Sequence, residues 1–171
     1  RLPLDPEWLW AVLTDYANLN LYIPNLASSR ELWRRGNKVG LEQVGTQQFC
    51  GLRFSARVEL ELEEDPEAGE LRFCMCRGDF RRFEGIWQIG RSGGVTHLFY
   101  ELTVQGRPGM PIGLIEQRLR EDLANNLRGV QREAVHGGVV EARSLGPGRG
   151  STFTIYLPPL VTSSSLSRVS L

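Results

Sequence analysis

The sequence predicts an α+β fold in which a curved antiparallel sheet wraps around a long C-terminal helix, with an apolar cavity between them. Three observations predict this arrangement: a helix start near residue 5, a period of two in hydrophobicity from about residue 28 to 105, and a return to helical spacing after residue 111. A twisted sheet with one apolar face needs a cover, and the last helix has a matching apolar stripe. A curled sheet leaves a gap against a straight helix, which tends to become a cavity.

The N-terminal segment has the residue order of a helix start. Asp5 is a capping carboxylate, Pro6 occupies the first helical position, and Glu7 places an acid in the first turn. Pro24 prevents continuation beyond a short second helical turn. The expected apolar face of this helix comprises Trp8, Leu9, Val12, Leu13 and Tyr16.

Six strands should follow in sequence and form a meander. The clearest is the run from Leu52 to Glu63, in which every even position is apolar and every odd position is polar, as in a half-buried antiparallel strand. Turn-like residues rich in Gly, Pro, Asn and Asp separate the runs. The six predicted strands span residues 28–34, 38–49, 52–63, 70–77, 82–90 and 94–105.

A long amphipathic helix is predicted after Pro111. Its apolar residues recur every three or four positions over more than twenty residues, and Gly137 and Gly138 end it. The stripe comprises Ile112, Ile115, Leu119, Leu123, Leu127, Val130 and Ala134.

Composition excludes several classes of function. The 20 basic and 20 acidic residues among 171 balance, and no basic block indicates nucleic-acid binding. No apolar run approaches the ~20 residues needed to cross a bilayer, so no stable membrane insertion is expected. Three cysteines are too few for a disulfide scaffold and favour a reducing, cytoplasmic location. Neither a metal site nor a phosphate-binding loop is predicted, and no cofactor is expected.

Several segments, in the right order, resemble the coenzyme Q-binding/polyketide cyclase branch of the START-like helix-grip (SRPBCC) superfamily. They are Val12 to Leu19, Tyr22 to Leu26, Gly78 to Phe80 with Phe83 to Trp87, and Pro108 to Pro111 before the last helix. The resemblance covers residues 5–134. The first strand that precedes the N-terminal helix in that family is absent from this sequence.

The resemblance implies a cavity that holds a prenylquinone, a lipid or a polyketide-like molecule, and it does not imply a reaction. The same apolar stripes would also serve to fill a core. Neither the ligand nor the oligomeric state follows from the sequence. The expected cavity residues are Phe54, Val58, Leu60, Phe83, Trp87, Leu98, Tyr100, Ile115, Leu119, Leu123 and Leu127.

Catalysis would require polar groups that converge inside the cavity. No catalytic residue is assigned, and Tyr100 is the best candidate because it shares the phase of Leu98 and Leu102. A polyketide cyclase, aromatase or dehydratase with Tyr100 as acid or base is therefore the alternative function. Gln43 and Arg77 are weaker candidates, and His97 and Glu101 are expected to face solvent because their phase is opposite.

The C-terminal part divides into two further segments, after the ligand-binding domain at residues 1–135. Residues 135–159 resemble the final helix end and last two strands of the ATP-binding domain of histidine kinases, and residues 136–159 form the predicted segment; the other parts of that domain are missing and ATP binding is not expected. They predict a hairpin that could pack on the sheet edge or act as an interaction or signalling module. Residues 160–171 have the composition of a disordered tail.

Overall fold

The computed structural model describes residues 6–23, 25–49, 51–93, 95–110, 139–144 and 151–157. The N-terminal segment contains helix α1 (Pro6–Leu13), a 3-10 turn (Tyr16–Asn18) and helix α2 (Leu19–Tyr22). The strands are β1 (Leu26–Arg35), β2 (Lys38–Phe49), β3 (Leu52–Asp65), β4 (Glu70–Gly78), β5 (Arg82–Ser92), β6 (Val95–Gln105), β7 (Val139–Ser144) and β8 (Ser151–Leu157).

Strands β1 to β6 lie side by side in chain order and pair antiparallel, which confirms the predicted meander. The tight connections lie where turn residues predict them. Gly36 between β1 and β2 has a φ of 59° and Gly69 between β3 and β4 has a φ of 67°, a conformation that favours glycine. Alternating side chains and short turns thus determine the register along the meander.

The C-terminal hairpin extends the same sheet. Strand β8 pairs antiparallel with β6, with Tyr100 opposite Phe153, and β7 pairs with β8 at the outer edge. The order of strands is therefore β1-β2-β3-β4-β5-β6-β8-β7. The predicted hairpin is present, and it packs on the edge of the sheet through backbone pairing with β6.

The core of the described residues lies on one face of the sheet. Leu41 lies opposite Leu60, and Leu62 lies opposite both Val39 and Phe73, so apolar residues of neighbouring strands share that face. Polar residues occupy the other face and form cross-strand ion pairs, such as Lys38 with Glu61. The buried cluster comprises Tyr16, Leu19, Val39, Leu41, Val58, Leu60, Leu62, Leu71, Phe73, Phe80, Tyr100, Leu102 and Val104.

Helix α1 differs in part from its prediction. It ends at Leu13 and buries Leu9 against Ile89 and Leu98, whereas Trp8 is 43% exposed. A two-turn helix can present only one narrow side to the sheet, and that side contains Leu9 and Leu13. The expectation that Trp8 belongs to the buried face is therefore wrong. Asp5 lies outside the described residues.

The predicted long helix after Pro111 and the tail at 160–171 also lie outside the described residues. Within the described ranges, no helix has the length and apolar character needed to cross a membrane.

A polar contact fastens the N-terminal segment to the sheet. The buried Tyr16 hydroxyl donates to Glu64 Oε1 at 2.6 Å, and Arg34 Nη1 donates to the same carboxylate at 3.2 Å. The Arg34 guanidinium also lies 5.7 Å from the centre of the Tyr16 ring. Burial, followed by the hydrogen bond to Glu64, raises the pKa of Tyr16 above its ordinary value.

Replacing Tyr16 with Phe should lower the free energy of unfolding at pH 7 by about 1.5–3 kcal/mol, because a hydrogen bond to a charged group is lost. The raised folded-state pKa of Tyr16 means that its stabilising effect is complete below about pH 10 and falls as pH rises further. Urea unfolding from pH 7 to 11 measures both effects. Above about pH 10, the free energy of unfolding should fall less steeply with pH in Tyr16→Phe, by up to about 1.4 kcal/mol per pH unit. An identical dependence on pH in both proteins would refute the assignment.

Candidate functional site

The sheet contains seven of the eleven residues that the sequence assigns to a ligand cavity. Val58, Leu60 and Tyr100 are buried in the main cluster, and Leu98 is buried in a smaller cluster with Leu9 and Ile89. The remaining predicted residues of the sheet are Phe83 and Trp87, which are half-buried against these clusters, and Phe54, which is 36% exposed near the start of β3. Ile115, Leu119, Leu123 and Leu127 lie outside the described residues.

A row of aromatic rings crosses this inner face. Trp87 and Tyr100 stack with ring centroids 3.9 Å apart and an interplanar angle of 28°. Phe73 lies 6.3 Å from Tyr100 and 6.0 Å from Phe83, and Phe80 lies 5.4 Å from Phe83. Such distances are typical of interacting aromatic pairs. The row of Trp87, Tyr100, Phe73, Phe83 and Phe80 is called the aromatic row below.

Two members of the aromatic row are absent from the residues that the sequence assigns to the cavity. Phe73 alternates with Leu71 in the predicted fourth strand, so the period of two could have identified it. Phe80 lies in the turn between β4 and β5, where no periodicity applies, and its burial arises only from the tertiary fold.

The Phe73 ring lies against a glycine of the next strand. Phe73 is the register partner of Gly85, and a Cβ at Gly85 would lie 2.6 Å from Phe73 Cζ and 2.1 Å from the Glu101 carbonyl oxygen. Only glycine provides this space without a shift of β5 or β6. The missing side chain at Gly85 thus helps to place the middle of the aromatic row.

Tyr100, the candidate acid predicted from the sequence, lies on the inner face. Its side chain is buried, and burial raises the pKa of its hydroxyl above the ordinary value. The phenol therefore stays protonated at neutral pH. In that form it can donate a hydrogen bond or a proton to a ligand carbonyl, and it does not serve as a base.

The other polar candidates do not converge with Tyr100. Gln43 Nε2 donates to Ser29 Oγ at 3.3 Å, and Arg77 is exposed. Glu101 is exposed as predicted, but His97 is only partly exposed and its Nδ1 is buried. The expectation that His97 faces solvent therefore holds only in part, because β6 is not an open edge and the backbone of β8 lies beside it.

The cysteines form no metal centre in the described part of the chain. Cys74 and Cys76 are both exposed on β4, and burial among its neighbours raises the pKa of the Cys74 thiol. No group of three or more His, Cys, Asp or Glu residues among the described ranges is placed to hold a metal ion.

A cleft of about 600 Å³ lies at one end of the inner face, beside Phe80. It occupies the place where β4 and β5 separate. Its lining comprises Met75, Cys76, Arg77, Gly78, Phe80, Arg81, Arg107 and Pro108.

A family profile described as polyketide cyclase / dehydrase and lipid transport matches residues 2–130. The chain belongs to this family. The match covers most of the chain and includes α1, the meander of six strands and the aromatic row.

Solved structures place this family member among START-like folds. The chain is similar to TTHA0849 from Thermus thermophilus, with 26% identity and a TM-score of 0.62, over 78% of this chain and 91% of that one. A START superfamily protein from Mycobacterium smegmatis shares 17% identity with a TM-score of 0.57, over 75% of this chain and 90% of that one. These comparisons confirm the START-like resemblance of the antiparallel sheet.

A third similar structure is the di-domain ARO/CYC StfQ from the steffimycin biosynthetic pathway. It shares 13% identity with a TM-score of 0.53, and the match covers 81% of this chain and 46% of the two-domain protein. At this level of identity, the likeness concerns the fold alone.

No curated protein matches the sequence significantly. The family match ends at residue 130, and neither the family profile nor these three structures support the resemblance of residues 135–159 to histidine kinases.

Replacing Gly85 with Ala should lower the free energy of unfolding by about 1–3 kcal/mol or more, because the added methyl group overlaps Phe73 and a carbonyl oxygen. Gly90→Ala is the matched control, since it lies on the same strand and a Cβ there has no neighbour within 4 Å among the described residues. Urea unfolding of the two variants checks the difference. Equal stability of Gly85→Ala and Gly90→Ala would contradict the role given to Gly85.

Proposed function

We propose that this protein binds a hydrophobic small molecule, such as a prenylquinone, a lipid or a polyketide-like molecule, against the apolar inner face of its sheet. The observation that carries the proposal is the aromatic row, in which Trp87 and Phe83 keep part of their surface accessible although they lie on that face. Membership of a family described as polyketide cyclase / dehydrase and lipid transport supports the same class of ligand.

Binding of this kind needs no reacting group. Apolar burial contributes ~0.8 kcal/mol per methylene, so a ligand that buries about ten methylenes gains roughly 8 kcal/mol. That energy corresponds to a micromolar dissociation constant before the costs of association. The partly exposed Trp87 ring adds a flat surface on which a planar ligand ring can stack.

The predicted long helix would complete the site in this proposal. Its apolar stripe, with Ile115, Leu119, Leu123 and Leu127, would cover the inner face and enclose the ligand. A cover that excludes water is required because apolar contacts stabilise a complex only when both surfaces leave solvent.

A polyketide cyclase or dehydratase activity is the second candidate, and one observation favours it. The buried Tyr100 hydroxyl is protonated at neutral pH and lies on the apolar inner face beside Trp87. A phenol in that place could polarise a ligand carbonyl and protonate the enolate that forms during an aldol cyclisation. The site would then bind its substrate in the same way as a carrier binds its ligand.

The binding proposal predicts that Trp87→Leu weakens binding of the neutral apolar dye Nile red at least fivefold, because it removes the large, partly exposed ring at one end of the aromatic row. Trp8→Leu is the matched control, since Trp8 is 43% exposed on α1 and should leave the affinity unchanged. Fluorescence titration measures both affinities, after circular dichroism confirms that each variant is folded. Equal affinities for the two variants and the unaltered protein would mean that the dye does not bind at the aromatic row.

The cyclase alternative predicts a different result for Tyr100→Phe. Loss of the hydroxyl should lower turnover of a poly-β-ketone substrate about 10²-fold or more, whereas the affinity for Nile red should change little. Chromatography of the cyclised product measures turnover. Full turnover by Tyr100→Phe would remove the acid role of Tyr100 and leave the binding proposal intact.

A further inference from the structure

The cleft beside Phe80 exists because β4 and β5 separate. Their pairing runs from Glu70 opposite Gln88 to Cys74 opposite Glu84 in the described register. Beyond Cys74, β4 stays paired with β3, with Met75 opposite Leu60, while the chain turns through residues 79–81 before β5 begins at Arg82. The sheet therefore opens at this point and leaves a cleft of about 600 Å³.

Arg107 spans the opening. Its Nη2 donates to the carbonyl oxygen of Gly78 at 3.0 Å, and its Nε donates to the carbonyl oxygen of Phe80 at 3.4 Å. These bonds satisfy backbone acceptors beside the place where β4 and β5 no longer pair. A guanidinium has five N–H donors, so Arg107 keeps further donors for another acceptor.

The cleft carries a concentrated positive charge. Arg77, Arg81 and Arg107 line it, and its described lining residues include no carboxylate; Asp79, in the same turn, accepts a hydrogen bond from the Arg57 amide at 2.7 Å. Glu59 lies opposite Arg77 in the register, but its Oε1 is 3.5 Å from Arg57.

Several arginines of the sheet form ion pairs that those of the cleft do not, although Arg35, Arg53 and Arg91 also form none in the described ranges. Arg30, Arg57, Arg72 and Arg82 each form an ion pair with a glutamate. The three arginines of the cleft form no ion pair with any residue in the described ranges.

The floor of the cleft is apolar and continuous with the inner face. Phe80 belongs to the main buried cluster and to the aromatic row, and Met75 packs against that cluster. Positive guanidinium groups thus stand directly beside an apolar surface. This combination matches an amphiphile, whose charged end would meet the arginines while its apolar part lies along the inner face.

We propose that the cleft binds the anionic head, a carboxylate or a phosphate, of the hydrophobic ligand. The inference rests on the proposed function, because it assigns one end of the ligand that occupies the inner face. Arg77 and Arg81 would supply charge at the rim, and Arg107 would donate hydrogen bonds from its fixed position.

Competition against Nile red tests the inference with compounds that share one hydrocarbon chain. Oleate and oleyl phosphate carry an anionic head, oleyl alcohol carries a neutral one, and inorganic phosphate carries no chain. We expect at least one anionic oleyl compound to bind at least tenfold more tightly than oleyl alcohol. This preference should shrink between 50 and 500 mM NaCl, because exposed charges are screened by salt.

The double variant Arg77→Gln with Arg81→Gln should reduce the preference at least threefold, since only Arg107 of the three arginines remains, and should leave the affinity for oleyl alcohol unchanged. Arg91→Gln is the control, since this exposed arginine lies roughly 30 Å further along β5 and should leave the preference unchanged. Arg107→Lys keeps a positive charge but loses the planar set of guanidinium N–H donors. It should therefore reduce the preference for the anionic oleyl compounds in part. Circular dichroism confirms the fold of each variant.

The possible outcomes separate this inference from the proposed function. Equal affinity of the unaltered protein for oleate, oleyl phosphate and oleyl alcohol would overturn the anionic head and leave apolar binding intact. An undiminished preference in both the double variant and Arg107→Lys would overturn the cleft as its cause. If inorganic phosphate binds as tightly as oleyl phosphate and displaces it, the cleft is a site for free anions. That result would overturn the assignment to a ligand head. Failure of every oleyl compound and of Nile red to bind would overturn both proposals.

Discussion

The burial of one face of the antiparallel sheet is the constraint on which the rest of the structure depends. Side chains alternate along each strand, so a slip of one residue would move every apolar residue to the polar face. Leu41 opposite Leu60 and Leu62 opposite Phe73 keep neighbouring strands in the same phase. The aromatic row exists because that phase persists across β4, β5 and β6, and it places Trp87 against Tyr100.

Much of this sheet could be predicted from the sequence because alternation is a local property. The run from Leu52 to Glu63 predicts both β3 and its inward residues Val58 and Leu60, and the structure buries both. The burial of Phe80 could not be predicted, since a turn residue becomes buried only through contacts with distant strands. The side of α1 that faces the sheet could not be predicted either, because Trp8 and Leu9 satisfy the same helical periodicity.

The positively charged cleft shows most clearly what sequence periodicity misses. Arg77 and Arg81 are ordinary polar residues of a strand and a turn, and Arg107 lies well beyond them in the sequence. A register shift in β4 and the separation of β4 from β5 bring the three into one lining. An apolar face and a charged end then share one boundary at Phe80, and this boundary would give a bound amphiphile a defined direction.

The central claim is that the inner face holds a hydrophobic molecule, and native mass spectrometry of the purified protein tests it most directly. The spectrum is compared with that of the same protein after denaturation and organic extraction, before and after addition of oleate. The account predicts a discrete additional mass that disappears on extraction and returns with oleate at one molecule per chain. A spectrum that shows only the unliganded mass, both as purified and with excess oleate, would contradict it.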